Sequence, residues 1–115
     1  FCQYAGLEAV VGDQSALKKM KKEYEERKKI LVEGLNEVKG ISCVNPGGAM
    51  YVFPNITKTG MDSDTFSEYV LDKIGVGVLP GNNFGENGEG YIRMCYATSQ
   101  EDILLALSRL KNLFG

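Results

Sequence analysis

A chain of 115 residues has material for one domain with a modest core, and its 43% hydrophobic and 24% charged residues suit a globular fold. Its net charge of −2 offers no general attraction to nucleic acid or to an anionic membrane, and no apolar run nears the roughly 18 residues needed to span a bilayer. With no histidine and no Cys-x-x-Cys, the scattered Cys2, Cys43 and Cys95 exclude a zinc site of the usual Cys/His type and read as small buried thiols of a reducing compartment.

The chain opens at Phe1 in an apolar stretch to Val11 that has no cap before it, as a helix cut from a longer sequence would. After Gly12, Asp13 is the expected N-cap of a long helix running to about Lys39 and stopped by Gly40. Leu17, Met20, Tyr24, Leu31, Leu35 and Val38 recur at helical spacings, which gives that helix one apolar stripe. Four lysines among residues 18–22 are followed at once by Glu23, Glu25 and Glu26, the pattern of a solvated, ion-paired face. Arg27 and Gly34 at intervening seam positions argue against a coiled coil and for packing on a sheet.

Ile41 to Val44 reads as a short strand, Asn45-Pro46-Gly47-Gly48 as a turn, and Ala49 to Phe53 as a second strand ended by Pro54. Asp62 or Ser63 caps the next helix, whose apolar face is Phe66, Tyr69, Val70 and Ile74 and whose end is Gly75. Val76 to Leu79 is a third strand, Pro80 to Gly90 a loop with four glycines, and Tyr91 to Tyr96 a fourth strand. Ser99 with Asp102 resembles a capping box opening the last helix, which buries Ile103, Leu107, Leu110 and Phe114. The order predicts an α/β (α+β, two-layer) unit: a small, mainly antiparallel sheet with helices covering one face. Residues 1–12 fit this unit poorly and are expected to belong to a neighbouring domain, leaving 13–115 as the domain proper.

The glycine-rich loop is no phosphate cradle, since it lacks Gly-Lys-Ser/Thr, runs into a strand and carries two glutamates. Arg93 is the only charged residue between Tyr91 and Thr98. Period-two alternation puts Ile92, Met94 and Tyr96 on one face and Tyr91, Arg93 and Cys95 on the other. An arginine there offers a planar fork of donors to a carboxylate; it could equally form a structural salt bridge or snorkel from a strand end. No histidine base, nucleophile elbow or distinctive carboxylate pair accompanies it, so the chain assembles no catalytic centre of its own.

Several runs carry a family resemblance. Gly75-Val76-Gly77-Val78-Leu79-Pro80-Gly81-Asn82-Asn83-Phe84-Gly85, followed by Gly90-Tyr91-Ile92-Arg93-Met94-Cys95-Tyr96-Ala97-Thr98-Ser99, resembles the C-terminal signature of class I/II aminotransferases, closest in style to the aspartate aminotransferase group. Pro46 to Pro54 resembles the family's Gly-Ala-Phe-Tyr strand. Gln3 and Ala5 with Ala9 are similar to the helix after its lysine-bearing segment, and Tyr24 and Arg27 match its Tyr-x-x-Arg.

The resemblance implies the small, C-terminal domain of a fold-type I enzyme dependent on pyridoxal 5'-phosphate, cytoplasmic and homodimeric, that exchanges amino acids and 2-oxo acids. Arg93 would take the substrate α-carboxylate, with Gly48 and Met50 at the substrate pocket and Asn82 and Phe84 bordering it. Met50 departs from the family's usual phenylalanine, and Asn82-Asn83 from its small residues. The Schiff-base lysine and the other cofactor contacts would lie upstream in an N-terminal large domain, because none of the 13 basic residues here sits in such a context. The chain alone would therefore be inactive. A free-standing small α/β module that binds an amino acid through Arg93 is the alternative, and a purely structural oligomerisation surface on residues 1–11 and the long helix is a third reading.

Overall fold

The structure, a computed structural model, describes residues 1–115. The chain forms helices α1 (Cys2–Val11), α2 (Ser15–Asn36), α3 (Ser63–Ile74) and α4 (Gln100–Phe114) and three short strands, β1 (Tyr51–Val52), β2 (Leu79–Pro80) and β3 (Ile92–Cys95). The sheet is antiparallel in the order β1-β3-β2, so the last strand in sequence is the central one. Tyr51 pairs with Cys95 and Val52 with Met94 on one side, Leu79 with Arg93 and Pro80 with Ile92 on the other. Pro80 has no amide hydrogen to give, which an edge strand tolerates and a central one does not.

The two-layer expectation holds. Val52, Ile92, Met94 and Tyr96 are buried beneath α2, α3 and α4, in one core with Leu31, Leu35, Phe66, Val70, Ile103, Leu107 and Leu110. Burying such side chains contributes about 1.5–3 kcal/mol each before chain entropy is subtracted. Gly34 is where α2 and α4 touch: a Cβ there would lie 2.4 Å from Leu107 Cδ1. Tyr96 is buried at 2% exposure and donates its hydroxyl to the Ala49 carbonyl at 2.6 Å, which satisfies the phenol and ties the sheet to the bend before β1.

Local signals act largely as expected. The Asp62 carboxylate accepts the Thr65 N–H at 2.7 Å, and Gly75, at φ +64, ends α3 with its N–H on the Leu71 carbonyl. Ser99 caps α4 by accepting the Asp102 N–H at 3.0 Å. The reciprocal half of a capping box is not made, because Asp102 instead accepts the Thr98 hydroxyl.

Several boundaries are corrected. The long helix begins at Ser15 and ends at Asn36, short of Lys39. At its start Asp13 accepts the Ser15 N–H, a turn-type bond one position too early for an N-cap. At its end the Asn36 side chain donates to the Cys43 carbonyl and accepts the Cys43 N–H, both at 2.9 Å, and so turns the chain into the next segment. That segment keeps strand alternation, with Ile41 and Cys43 in and Ser42 and Val44 out, but pairs only through a single bridge from Ser42 to Asn55. Strands β1 and β2 are likewise shorter than the apolar runs around them, each pairing with only two residues of β3. The apolar stripe of α2 is buried only in its second half; Leu17 and Met20 are half exposed. Helix α1 buries no residue. No helix is long and apolar enough to cross a membrane.

Candidate functional site: the open face of the sheet

Alternation along β3 buries Ile92, Met94 and Tyr96 and turns Arg93 and Cys95 to the face that no helix covers. Arg93 forms no ion pair with any acidic side chain; the salt bridges of the chain are Lys21–Glu25, Arg27–Glu23 and Lys111–Glu37. Its guanidinium instead lies over two aromatic rings, with Cζ 4.4 Å from the Tyr51 centroid and 4.1 Å from that of Phe84. Phe53 meets Phe84 edge-on at 6.2 Å and stacks on Tyr91 at 5.4 Å. Four rings thus pave the open face around one cation whose hydrogen-bonding donors have no protein partner. A cavity of about 260 Å³ lies beside it, lined by Tyr51, Gly77, Val78, Leu79, Arg93, Met94 and Cys95.

Phe84 comes from a 3-10 turn, Gly81–Phe84, in the glycine-rich loop. Gly81 and Gly88 let two segments of that loop touch backbone to backbone: a Cβ on Gly81 would fall 2.2 Å from the Gly88 carbonyl oxygen. The loop is then fastened to the N-terminus of α3. The Glu89 carboxylate accepts the Ser63 N–H and the Gly90 N–H, both at 2.9 Å, and the Ser63 hydroxyl at 3.2 Å. These bonds, first the one from the Ser63 amide, hold the Glu89 carboxyl below its ordinary value of 4.5. The helix N-terminus is therefore filled by the protein's own anion.

The residues singled out in the sequence separate into two places. Arg93 and Phe84 are in contact on the open face. Asn82 belongs to the same 3-10 turn, but its side-chain amide donates to Asp64 of α3 at 2.7 Å, so it fastens the loop. Gly48 lies in the bend before β1, which passes through Ala49 at φ 61, and lines a groove with Leu17, Met20, Tyr24 and Lys28 of α2. Met50 is exposed at the end of that bend and accepts the Tyr96 N–H on its carbonyl. Tyr51, Phe53 and Tyr91 were not singled out; their alternation with buried residues on strands flanking the Arg93 position was the available signal. No three His, Cys, Asp or Glu side chains converge as a metal site.

Residues 1–110 match the family described as aminotransferase class I and II. The chain is 50% identical over 113 residues to an aspartate aminotransferase of Pyrococcus horikoshii, covering 96% of this chain and 29% of that relative. The crystal structure of an aromatic aminotransferase from Pyrococcus horikoshii superposes with TM-score 0.82 at 44% identity, over 85% of this chain and 26% of that one. An alanine aminotransferase from Pyrococcus furiosus gives TM-score 0.92 at 32% identity, over 97% and 29%. The chain thus spans under a third of the length of the relatives it matches.

Proposed function

Because the chain belongs to the class I and II aminotransferases, we propose that it forms the substrate-carboxylate half of an amino-acid aminotransferase, with Arg93 as the carboxylate ligand. The observation that carries this is an arginine on a central strand, facing an uncovered surface, with no acid of its own. A guanidinium so placed presents parallel N–H donors to a planar carboxylate, and a charge-assisted pair of this kind is stronger than a neutral hydrogen bond. A bidentate pair also fixes the orientation of the bound amino acid, so the carboxylate common to all amino acids becomes a handle for aligning the Cα–H bond.

The side chains at this site fit that carboxylate and not the whole cofactor. The lining of the Arg93 cavity contains no lysine, so no amine that would hold pyridoxal 5'-phosphate stands among these side chains. The cofactor, on which the family depends, supplies the electron sink for breaking the Cα–H bond when it is bound. Residues 13–115 act as the small domain of the enzyme and residues 1–12 pass into the large one, in a cytoplasmic homodimer. Gly48 and Met50 stand at the substrate's other side, and Asn82 and Phe84 at its border. The named relatives are aminotransferases, which disfavours a free-standing amino-acid-binding module.

The test is the absorption spectrum of the intact protein with L-aspartate, L-alanine and L-phenylalanine, before and after Arg93→Lys. A visible cofactor band that shifts with one of them in the wild type is expected. Replacing the fork by a point charge is expected to raise KM and lower turnover together, by tenfold or more on the order expected for a lost bidentate pair. Unchanged kinetics in Arg93→Lys would remove the assigned role.

A further inference from the structure

We infer that Tyr51 and Phe84 are positioning residues for carboxylate recognition, acting on the guanidinium of Arg93 and not on the substrate; this rests on the role proposed for Arg93. A side chain with several rotatable bonds on an open sheet face would ordinarily sweep through many orientations and lose much of that freedom on binding. Here the Cζ of Arg93 sits 4.4 Å from one ring centroid and 4.1 Å from another, both well within the range of a cation–π contact. No carboxylate competes for its donors. Rings are suited to this task because they attract the charge through their faces and leave the N–H edges free for a ligand. An acidic partner would hold the arginine equally well but would occupy the donors that the substrate needs.

The two rings reach Arg93 from independent elements. Tyr51 stands on β1, in the pair opposite Cys95 and one diagonal step from Arg93. Phe84 comes from the glycine-rich loop and is braced from behind by Phe53, itself stacked on Tyr91. Through Glu89 on Ser63 and Asn82 on Asp64, the loop that carries Phe84 is fastened to α3. The side-chain atoms that meet the substrate belong to Arg93, while their position is fixed from β1, the loop and α3 together.

The experiment uses the intact protein and four variants: Phe84→Leu, Phe84→Tyr, Tyr51→Leu and Tyr51→Phe, each made also on an Arg93→Ala background. KM and kcat are read for L-aspartate, L-alanine and L-phenylalanine, with the α-carboxamides of the last two as controls that lack the carboxylate. For the substrate turned over best, either leucine variant is expected to raise KM about three- to tenfold, the scale of one cation–π contact. The aromatic variants restore it, the carboxamides feel no change, and the Arg93→Ala background abolishes the effect. An equal loss on the Arg93→Ala background would show that the ring touches substrate directly, and an unchanged KM in both leucine variants would show that it positions nothing; either overturns the inference while leaving Arg93 in place. If Arg93→Ala leaves KM unaltered, or none of the three amino acids is turned over, the reading of Arg93 falls and this inference with it.

Discussion

Cys43 and Cys95 have opposite surroundings. Cys43 points into the core and its burial pushes the thiol up to about 11, so at neutral pH almost none of it is thiolate. Cys95 is exposed on the same face as Arg93, and Cys2 is exposed on α1. Brief treatment of the folded chain with a maleimide at pH 7.5 is expected to label Cys2 and Cys95 and spare Cys43, as mass spectrometry of the peptides would show; denaturant brings in the third. Composition suggests three buried thiols, and only Cys43 is one: Cys2 lies on a helix that buries no residue, and Cys95 alternates to the outer face of β3, the one signal of its exposure in the sequence. The partners of Arg93 are less legible. Tyr51, Phe53 and Tyr91 read from sequence as ordinary strand aromatics, and only the pairing of β1 with β3 brings Tyr51 from a distant part of the chain to the cation.

Among the elements, the contact of α2 with α4 and the fastening of the 81–90 loop to α3 carry the clearest consequences. Leu107 is buried and cannot move away from a methyl group placed on Gly34, so Gly34→Ala is expected to cost about 1–3 kcal/mol in thermal or urea unfolding despite the better helix propensity of alanine. At the loop, Asp62 and Glu89 both have carboxyls held below their ordinary values of 3.8 and 4.5 by backbone amides at the start of α3. A depressed value in the folded state means that the unfolded chain takes up protons first. Their contribution is therefore complete above about pH 4.5 and is lost as the pH falls through the lower folded values. Glu89→Gln is expected to flatten that acid limb of the stability curve, measured by unfolding at a series of pH values, while a limb unchanged from wild type would count against the fastening. The caps of α3 and α4 and the stop at Gly75 were readable because Asp, Ser and Gly act within a few residues of themselves, whereas Asp13 and Gly40 misplaced both ends of α2. Strand lengths were not, because a ladder extends only as far as its partner, and the attachment of Glu89 to Ser63 spans 26 positions.

At the scale of the whole molecule, the radius of gyration is 16.7 Å, against about 13 Å for a compact chain of this length. The excess belongs to the first two helices: α1 buries nothing, and Phe1, Tyr4, Leu7, Val10, Val11, Leu17 and Met20 are exposed. Removing residues 1–12 is therefore expected to shrink the hydrodynamic radius while moving the unfolding midpoint by less than about 4 °C, the shift that 1 kcal/mol produces in a domain of this size. The same apolar surface is expected to make the isolated chain self-associate, visible as a mass above the monomer in light scattering. The uncapped apolar run of the opening residues was legible in the sequence, and α1 buries none of it.

The central place of β3 also sets an order of events during synthesis. A ribosome delivers Tyr51–Val52 and then Leu79–Pro80 before Ile92–Cys95, yet neither of the earlier strands pairs with the other. Until β3 emerges, the nascent chain holds helices and two strand segments with unpaired backbone. The sheet then closes around the newcomer on both sides, and the open face that carries Arg93 is among the last parts of this chain to exist.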